Sequence, residues 1–233
     1  MGEGIKKQGV NTHPNKHRML PHTRTSTKKV RALTKATRPD RDIYGGKSAQ
    51  LVSILRKQEE TWGKEQSTIE KARAYTPNGQ EVYRNDNGTP TSVAVNNIAR
   101  IGNVTTHIHP KQNGNDMAAQ IGLPLSGADV KNAITWGAKE TRAVAAGYTY
   151  SLRPKDGKNW GITPRQFQIA YNRAMKEYTD NVIIPVLRNR LTNGRIFGEE
   201  GVIFNNRANL ALQNYALKKV AKKYGLIYTR RKR

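Results

Sequence analysis

Apolar residues along the chain recur first at helical spacing and then at strand spacing. The stretch SAQLVSILRKQEETWGKEQ, which begins at Ser48, places four apolar side chains on one helix face: Leu51, Ile54, Leu55 and Trp62. From Ile69, the stretch IEKARAYTPNGQEVYR contains two short strand patterns joined at the turn Pro77-Asn78-Gly79. We therefore predict a helix, with Ser48 as its N-cap, followed by a β-hairpin.

The middle of the chain continues with strand patterns, a helix and a second hairpin. TSVAV and NVTTHIH are predicted to be strands, with NNIARIG between them. The stretch SGADVKNAITWGAK has the pattern of a helix that starts near Ser126. TRAVAAGYTYSLRP has that of a hairpin turning at Gly147. This order of elements predicts an α+β fold, a mixed β-sheet flanked by helices.

The elements predicted beyond residue 160 are helical. Thr163-Pro164 has the sequence of a cap followed by the first helical residue, and Pro185 is expected to bend the helix that follows. The stretch NRANLALQNYALKKVAKKYGL predicts a last amphipathic helix, and the tail IYTRRKR follows it. Three further aromatic residues are predicted to lie in the core: Trp136, Trp160 and Phe167.

Charge separates the chain into regions. The 233 residues contain 41 Lys and Arg against 17 Asp and Glu, a net charge of +24. Residues 1–44 are predicted to be a basic, extended or disordered arm, because they contain few aliphatic side chains with which to build a core. Residues 45–160 are predicted to form the α+β domain, and residues 161–233 a helical C-terminal region with a basic tail. The arm contributes eleven basic residues: Lys6, Lys7, Lys16, Arg18, Arg24, Lys28, Lys29, Arg31, Lys35, Arg38 and Arg41.

Composition also limits the chemistry. The chain has no cysteine, so any metal must be held by His, Asp, Glu or water. In VTTHIHP, His107 and His109 are two residues apart on a predicted strand and therefore point to the same face. A third ligand is required, and Asp129, in the first turn of the next predicted helix, is the preferred candidate over Asp116 in the intervening loop. Taken alone, SGAD is the sequence of a helix N-terminus with Ser126 as the N-cap, and it does not require a metal.

The sequence His-x-His-Pro, a loop, and Ser-x-x-Asp at a helix start resembles the JAMM (Jab/MPN) zinc metallopeptidase motif, which includes RadC-like proteins. An upstream Glu at the start of a strand completes that motif, and Glu70 is the best match. The resemblance covers about residues 48–153 and is similar to JAMM-like domains of phage head and toxin-associated proteins. Two features depart from the pattern: the loop between His109 and Ser126 is long, and Ile108 stands where a small polar residue is common.

The resemblance implies a role for each matched residue. His107, His109 and Asp129 would bind zinc, Glu70 would act as the general base, and Ser126 would hydrogen-bond the developing oxyanion. The implied reaction is hydrolysis of a peptide or isopeptide amide. Four other glutamates are rival bases: Glu59, Glu60, Glu65 and Glu81.

Two further functions remain open from the sequence. A basic virion or minor head protein could use the fold as a scaffold and bind nucleic acid, capsid or portal proteins through the arm and the C-terminal tail, which resembles that of phage minor head proteins. A metal-dependent nuclease would combine the histidines with polyanion affinity, but no nuclease motif is present. The chain has no apolar run long enough for a membrane span and no signal-peptide pattern, which predicts an intracellular (host cytoplasm) or virion setting.

Overall fold

The computed structural model describes residues 43–65, 67–110, 122–145, 147–155, 159–193 and 199–233. The predicted basic arm therefore lies outside the described residues, apart from its last two positions. The helices are α1 (Ala49–Lys64), α2 (Asn97–Arg100), α3 (Gly127–Thr135), α4 (Pro164–Tyr178), α5 (Ile184–Thr192) and α6 (Glu199–Tyr224). The strands are β1 (Ala72–Tyr75), β2 (Glu81–Asn85), β3 (Val104–Ile108), β4 (Glu140–Ala145), β5 (Tyr148–Pro154) and β6 (Leu226–Lys232).

The six strands form one mixed sheet in the order β2-β1-β3-β4-β5-β6. Only the β3–β4 pair is parallel, and α3 lies in the connection between these two strands. The remaining neighbours are antiparallel, and β1–β2 and β4–β5 are the two predicted hairpins. The α+β class and the mixed sheet flanked by helices are thus confirmed.

Helices cover both faces of the sheet. On β4, Ala143 and Ala145 pack into the large cluster that also contains residues of α3, α4 and α6. Val144, which alternation turns to the opposite face, packs against Trp62 of α1. The face assignments explain why β4 is buried along its whole length, since neither side of this central strand meets solvent.

A buried ion-pair network joins α1 to β4. Arg142 is fully buried and pairs with Glu59 of α1 and, at 2.6 Å, with Glu140. Glu140 also pairs with Lys47 at 2.5 Å and accepts a hydrogen bond from the Ser151 hydroxyl at 2.6 Å. Each buried charge therefore has an opposite partner, which offsets the cost of removing it from water.

Three local predictions need correction. Residues 91–95 are not a strand; the Ala94 carbonyl accepts hydrogen bonds from the side chains of Tyr83 and Asn85 instead of from a backbone ladder. Trp136 is 37% exposed, because α3 ends before it and its side chain is no longer directed inward by the helix. Near Pro185, where the sequence predicts a bend, the helix instead changes to a π-helical segment, Thr179–Ile183, directly before α5.

The tail after α6 forms β6, which the hydrophobic pattern did not predict. This strand pairs antiparallel with β5 over its whole length and forms one edge of the sheet. Its arginines have structural contacts: Arg230 is buried against the ring of Tyr148, and Arg231 donates to the Tyr44 hydroxyl at 2.6 Å. Much of the basic tail is therefore engaged with the protein itself.

Candidate metal centre

The two histidines lie at the end of a central strand. His107 is opposite Ala72 of β1 and Ala143 of β4, and His109 follows the last residue of β3. The His109 backbone N–H donates to the Val144 carbonyl at 2.8 Å, so strand-like pairing continues to this residue. The two Nε2 atoms are 2.9 Å apart, as expected for side chains on one face. This confirms the predicted placement of the pair.

Asp129 is positioned by the helix cap. The Ser126 hydroxyl accepts from the Asp129 backbone N–H at 3.1 Å, and Asp129 Oδ2 accepts from the Ser126 backbone N–H at 2.7 Å. This reciprocal pair is a capping box, and it fixes the rotamer of Asp129. The same Oδ2 lies 3.5 Å from His107 Nε2. The capping box at the start of α3 therefore also holds the Asp129 carboxylate close to the histidines.

The separation of these three groups suits one metal ion. One ligand atom from each of His107, His109 and Asp129 lies within 4.8 Å of the others. Two nitrogens bound to tetrahedral zinc at 2.0–2.1 Å would lie about 3.3–3.4 Å apart. The distances of 2.9 Å and 3.5 Å fall on either side of that value. Two imidazoles and one carboxylate are a donor set that occurs in catalytic zinc sites, in which the fourth position stays open.

A backbone contact selects the tautomer of His109 that can bind a metal. His109 Nδ1 is 2.9 Å from the Leu123 carbonyl oxygen, which can only accept a hydrogen bond. Nδ1 therefore carries the proton, and Nε2, the atom that faces His107, keeps its lone pair. Such contacts to the second ring nitrogen orient metal-binding histidines.

Charges within the cluster shift the pKa values of its members. Burial and the neighbouring His107 lower the pKa of His109 to about 4. For His107, burial acts to lower the pKa, but Asp129 and Glu70 outweigh it and the pKa is raised. Burial likewise opposes ionisation of Asp129, yet the two histidines hold its pKa well below the usual range. His109 is thus favoured in its neutral form and Asp129 in its ionised form, as metal binding requires, whereas the raised pKa of His107 favours a proton that a metal would displace.

Glu70 belongs to the same cleft. It precedes β1 by two residues and is only 8% exposed, and its backbone N–H donates to the Thr89 carbonyl at 2.8 Å. Gly88 permits this contact, since a Cβ there would lie 2.3 Å from the Glu70 carbonyl oxygen. Burial, together with the Asp129 charge, raises the pKa of Glu70 to about 6, although His107 opposes the shift. A carboxylate with that pKa is suited to exchange protons near neutrality.

The cleft around these groups has a volume of about 200 Å³. Ser126 is on its rim; its oxygen accepts the cap bond, and its hydroxyl proton remains available to a second acceptor. Sequence reasoning missed several lining residues. Among them is Arg100, which nothing in the pattern NNIARIG distinguishes from the other arginines of a basic chain. The other missed residues include Thr91, Ser92, Val93, Val95 and Asn132.

The structure places the four rival glutamates outside the cleft. Glu59 is part of the ion-pair network on the α1 side, while Glu60 and Glu65 pair with Lys64 and Lys71. Glu81 pairs with Arg84 on β2. None of these four glutamates lines the cleft. Asp116, the alternative third ligand, lies outside the described residues.

No protein-family profile, curated protein or solved structure matches the chain. Among the helices of the described residues, none combines the length and the apolar character that crossing a membrane requires.

Proposed function

We propose that the chain is a zinc-dependent hydrolase of peptide or isopeptide amide bonds, with a JAMM-like catalytic domain. The observation that carries this proposal is the convergence of ligand atoms from His107, His109 and Asp129 in one cleft with the buried Glu70. The donor set fits zinc, and a glutamate with a pKa of about 6 suits a base for amide hydrolysis. The setting that we propose is a phage or other mobile element.

Each residue would have a distinct part in the reaction. His107, His109 and Asp129 would hold the ion, which when bound supplies a Lewis acid that makes water nucleophilic near neutral pH. Glu70 would accept the proton from the attacking water and deliver it to the leaving amine. The Ser126 hydroxyl would donate to the oxygen that becomes negative, while its oxygen continues to cap α3.

A second function is supported by the charge of the chain. A virion component that binds nucleic acid or other capsid proteins would use the surplus of +24, to which the exposed Lys222 and Lys223 at the end of α6 contribute. The two functions are compatible, because the metal cleft and these lysines are on different elements.

Zinc content and amide hydrolysis test the first proposal together. We expect about one zinc per chain after purification without chelator, and its loss from a His107→Ala/His109→Ala variant. Glu70→Gln should keep the zinc but release new amino groups from a peptide mixture at least about 100-fold more slowly, the size of a typical general-base contribution. The readouts are metal analysis and amine labelling.

Matched variants complete this test. His17→Ala/His22→Ala, in the N-terminal arm, should keep full zinc content, and Glu81→Gln, a rival base outside the cleft, should keep full activity. A wild-type chain that contains no zinc and takes up none on addition would refute the proposal.

A further inference from the structure

Arg100 is a buried cation in the wall of the metal cleft. It is the last residue of α2 and only 8% exposed. The helix is held at both ends: the Asn96 side chain accepts from the Ile98 N–H at 2.9 Å, and the Asn103 N–H donates to the Arg100 carbonyl at 3.1 Å. The guanidinium is thus presented to the cleft by a fixed backbone.

The guanidinium has no structural partner among the described residues. Within them, it makes no hydrogen bond and no ion pair, and its buried Nε has no acceptor. Asp129 and Tyr83 act on it only through longer-range charge, and burial lowers its pKa. Leaving the buried Nε–H of a guanidinium without an acceptor is costly, and the remaining N–H donors are available to a ligand in the cleft. Two other buried arginines are by contrast paired with carboxylates: Arg142 with Glu59 and Glu140, and Arg73 with Asp86.

The charge of the loaded cleft would also favour an anion. Zinc and Arg100 carry three positive charges, whereas Asp129 and ionised Glu70 carry two negative charges. The two imidazoles that would hold the ion must be neutral to bind it, so they add no charge to the cleft. The cleft therefore has a surplus positive charge, and a substrate that carries one negative group would balance it.

We propose that Arg100 is the specificity-determining residue of the site and binds a carboxylate that the amide substrate carries near its scissile bond. This inference rests on the hydrolase function proposed above. The planar fork of a guanidinium matches a carboxylate in a bidentate pair. Such a carboxylate has two sources in peptides, the C-terminus and an Asp or Glu side chain. The cleft of about 200 Å³ also limits the substrate group to a small one.

Hydroxamates with a terminal carboxylate can test the zinc and Arg100 separately. The probes are the monohydroxamates of succinic, glutaric and adipic acid, and for each one the analogue in which the carboxylate is a carboxamide. Each would be titrated into the zinc-loaded full chain by calorimetry. We expect at least one acid to bind about 10- to 100-fold more tightly than its amide. Hydrogen bonds between a guanidinium and a carboxylate are strong enough to produce a difference of this size.

Variants at position 100 show whether Arg100 causes the preference for the acid probes over the amide probes. In Arg100→Gln the acid should bind no better than the amide, while the affinity for the amide, which reports an intact zinc site, stays unchanged. Arg100→Lys, which keeps the charge without the fork, should retain only part of the preference. Arg173→Gln removes the same charge from an exposed position of α4 and should leave both affinities unaltered.

Failures of the two proposals can be told apart. If the amides bind but no acid binds better, or if the preference persists in Arg100→Gln, the role of Arg100 is refuted and the zinc site stands. If no probe binds and the chain takes up no zinc, the hydrolase proposal falls, and the role of Arg100 with it. Peptides with free or amidated C-termini, and with or without an acidic side chain, then distinguish the two carboxylate sources by their relative hydrolysis rates.

Discussion

At the residue scale, the placement of Glu70 affects stability as well as chemistry. Burial of its side chain and the neighbouring charge of Asp129 both disfavour the ionised carboxylate. Its pKa in the folded protein is about 6, whereas the ordinary value is 4.5. The folded state therefore holds a proton more tightly than the unfolded state does. The stability that this proton provides is fully present below pH 4.5 and is lost as the pH rises through 6.

We expect Glu70→Gln to stabilise the metal-free protein at neutral pH. The neutral amide avoids the cost of burying a charge. The free energy of unfolding should therefore rise by about 1–2 kcal/mol at pH 7 and by almost nothing below pH 4.5. Urea unfolding in the presence of chelator, repeated from pH 4.5 to 7.5, measures the difference between variant and wild type.

The exposed Glu60 provides the control for this measurement. It pairs with Lys64 on the surface of α1, and that pair lowers its pKa. Glu60→Gln should therefore show no gain in stability with rising pH. If Glu70→Gln and wild type keep a constant difference over the whole pH range, Glu70 does not have the raised pKa.

At the element scale, α1 is fixed to the sheet by charge as well as by apolar contacts. Leu51 and Leu55 pack against Tyr75 and Val104, and farther along the helix Glu59 meets Arg142 of β4. Breaking a buried pair by removing one partner leaves the other charge uncompensated.

Arg142→Met should destabilise the protein by about 3–5 kcal/mol, because Glu59 and Glu140 would both lose their main cationic partner. Chemical unfolding followed by circular dichroism measures the loss. Arg165→Met is the matched control, since Arg165 is exposed in the first turn of α4, and its effect should stay within about 0.5 kcal/mol. A loss below about 1 kcal/mol for Arg142→Met would mean that the network contributes little to the docking of α1.

At the scale of the whole molecule, the surplus charge is divided between the arm and the remaining chain. Residues 1–42 contain eleven basic and three acidic residues, which accounts for eight of the 24 surplus charges. Within the described part, Arg230 and Arg231 contact the protein itself, and Lys219 pairs with Glu177. The cations that remain for a polyanion are thus fewer than the total suggests.

We expect the full chain to bind double-stranded DNA without sequence preference and with an affinity that falls steeply between about 50 and 200 mM salt, since each phosphate contact releases counterions. Changing the eleven arm lysines and arginines to Gln should reduce the slope of log affinity against log salt without abolishing it. Fluorescence anisotropy measures the slope. A flat salt response in the unaltered chain would rule out the arm and the exposed lysines as phosphate contacts.

The sequence alone was sufficient for the elements whose signals are local. The amphipathic period predicted α1, the Pro-Asn-Gly turn predicted the β1–β2 hairpin, and Ser-x-x-Asp predicted the cap of α3. The strand alternation placed His107 and His109 on one face, which their nitrogens confirm. These features depend on neighbours within a few residues, so the pattern of a single segment determines them.

Only the tertiary structure decided the features that depend on distant segments. Residues 226–232 have the composition of a basic tail, yet they complete the sheet because the free edge of β5 accepts them as β6. The position of Arg100 in the wall of the candidate metal cleft depends on distant segments, since Glu70 and Asp129 line the same cleft, and no local pattern carries that information. The sequence determined which residues could bind a metal, and the packing of α3 against the sheet determined that His107 and Asp129 lie 3.5 Å apart.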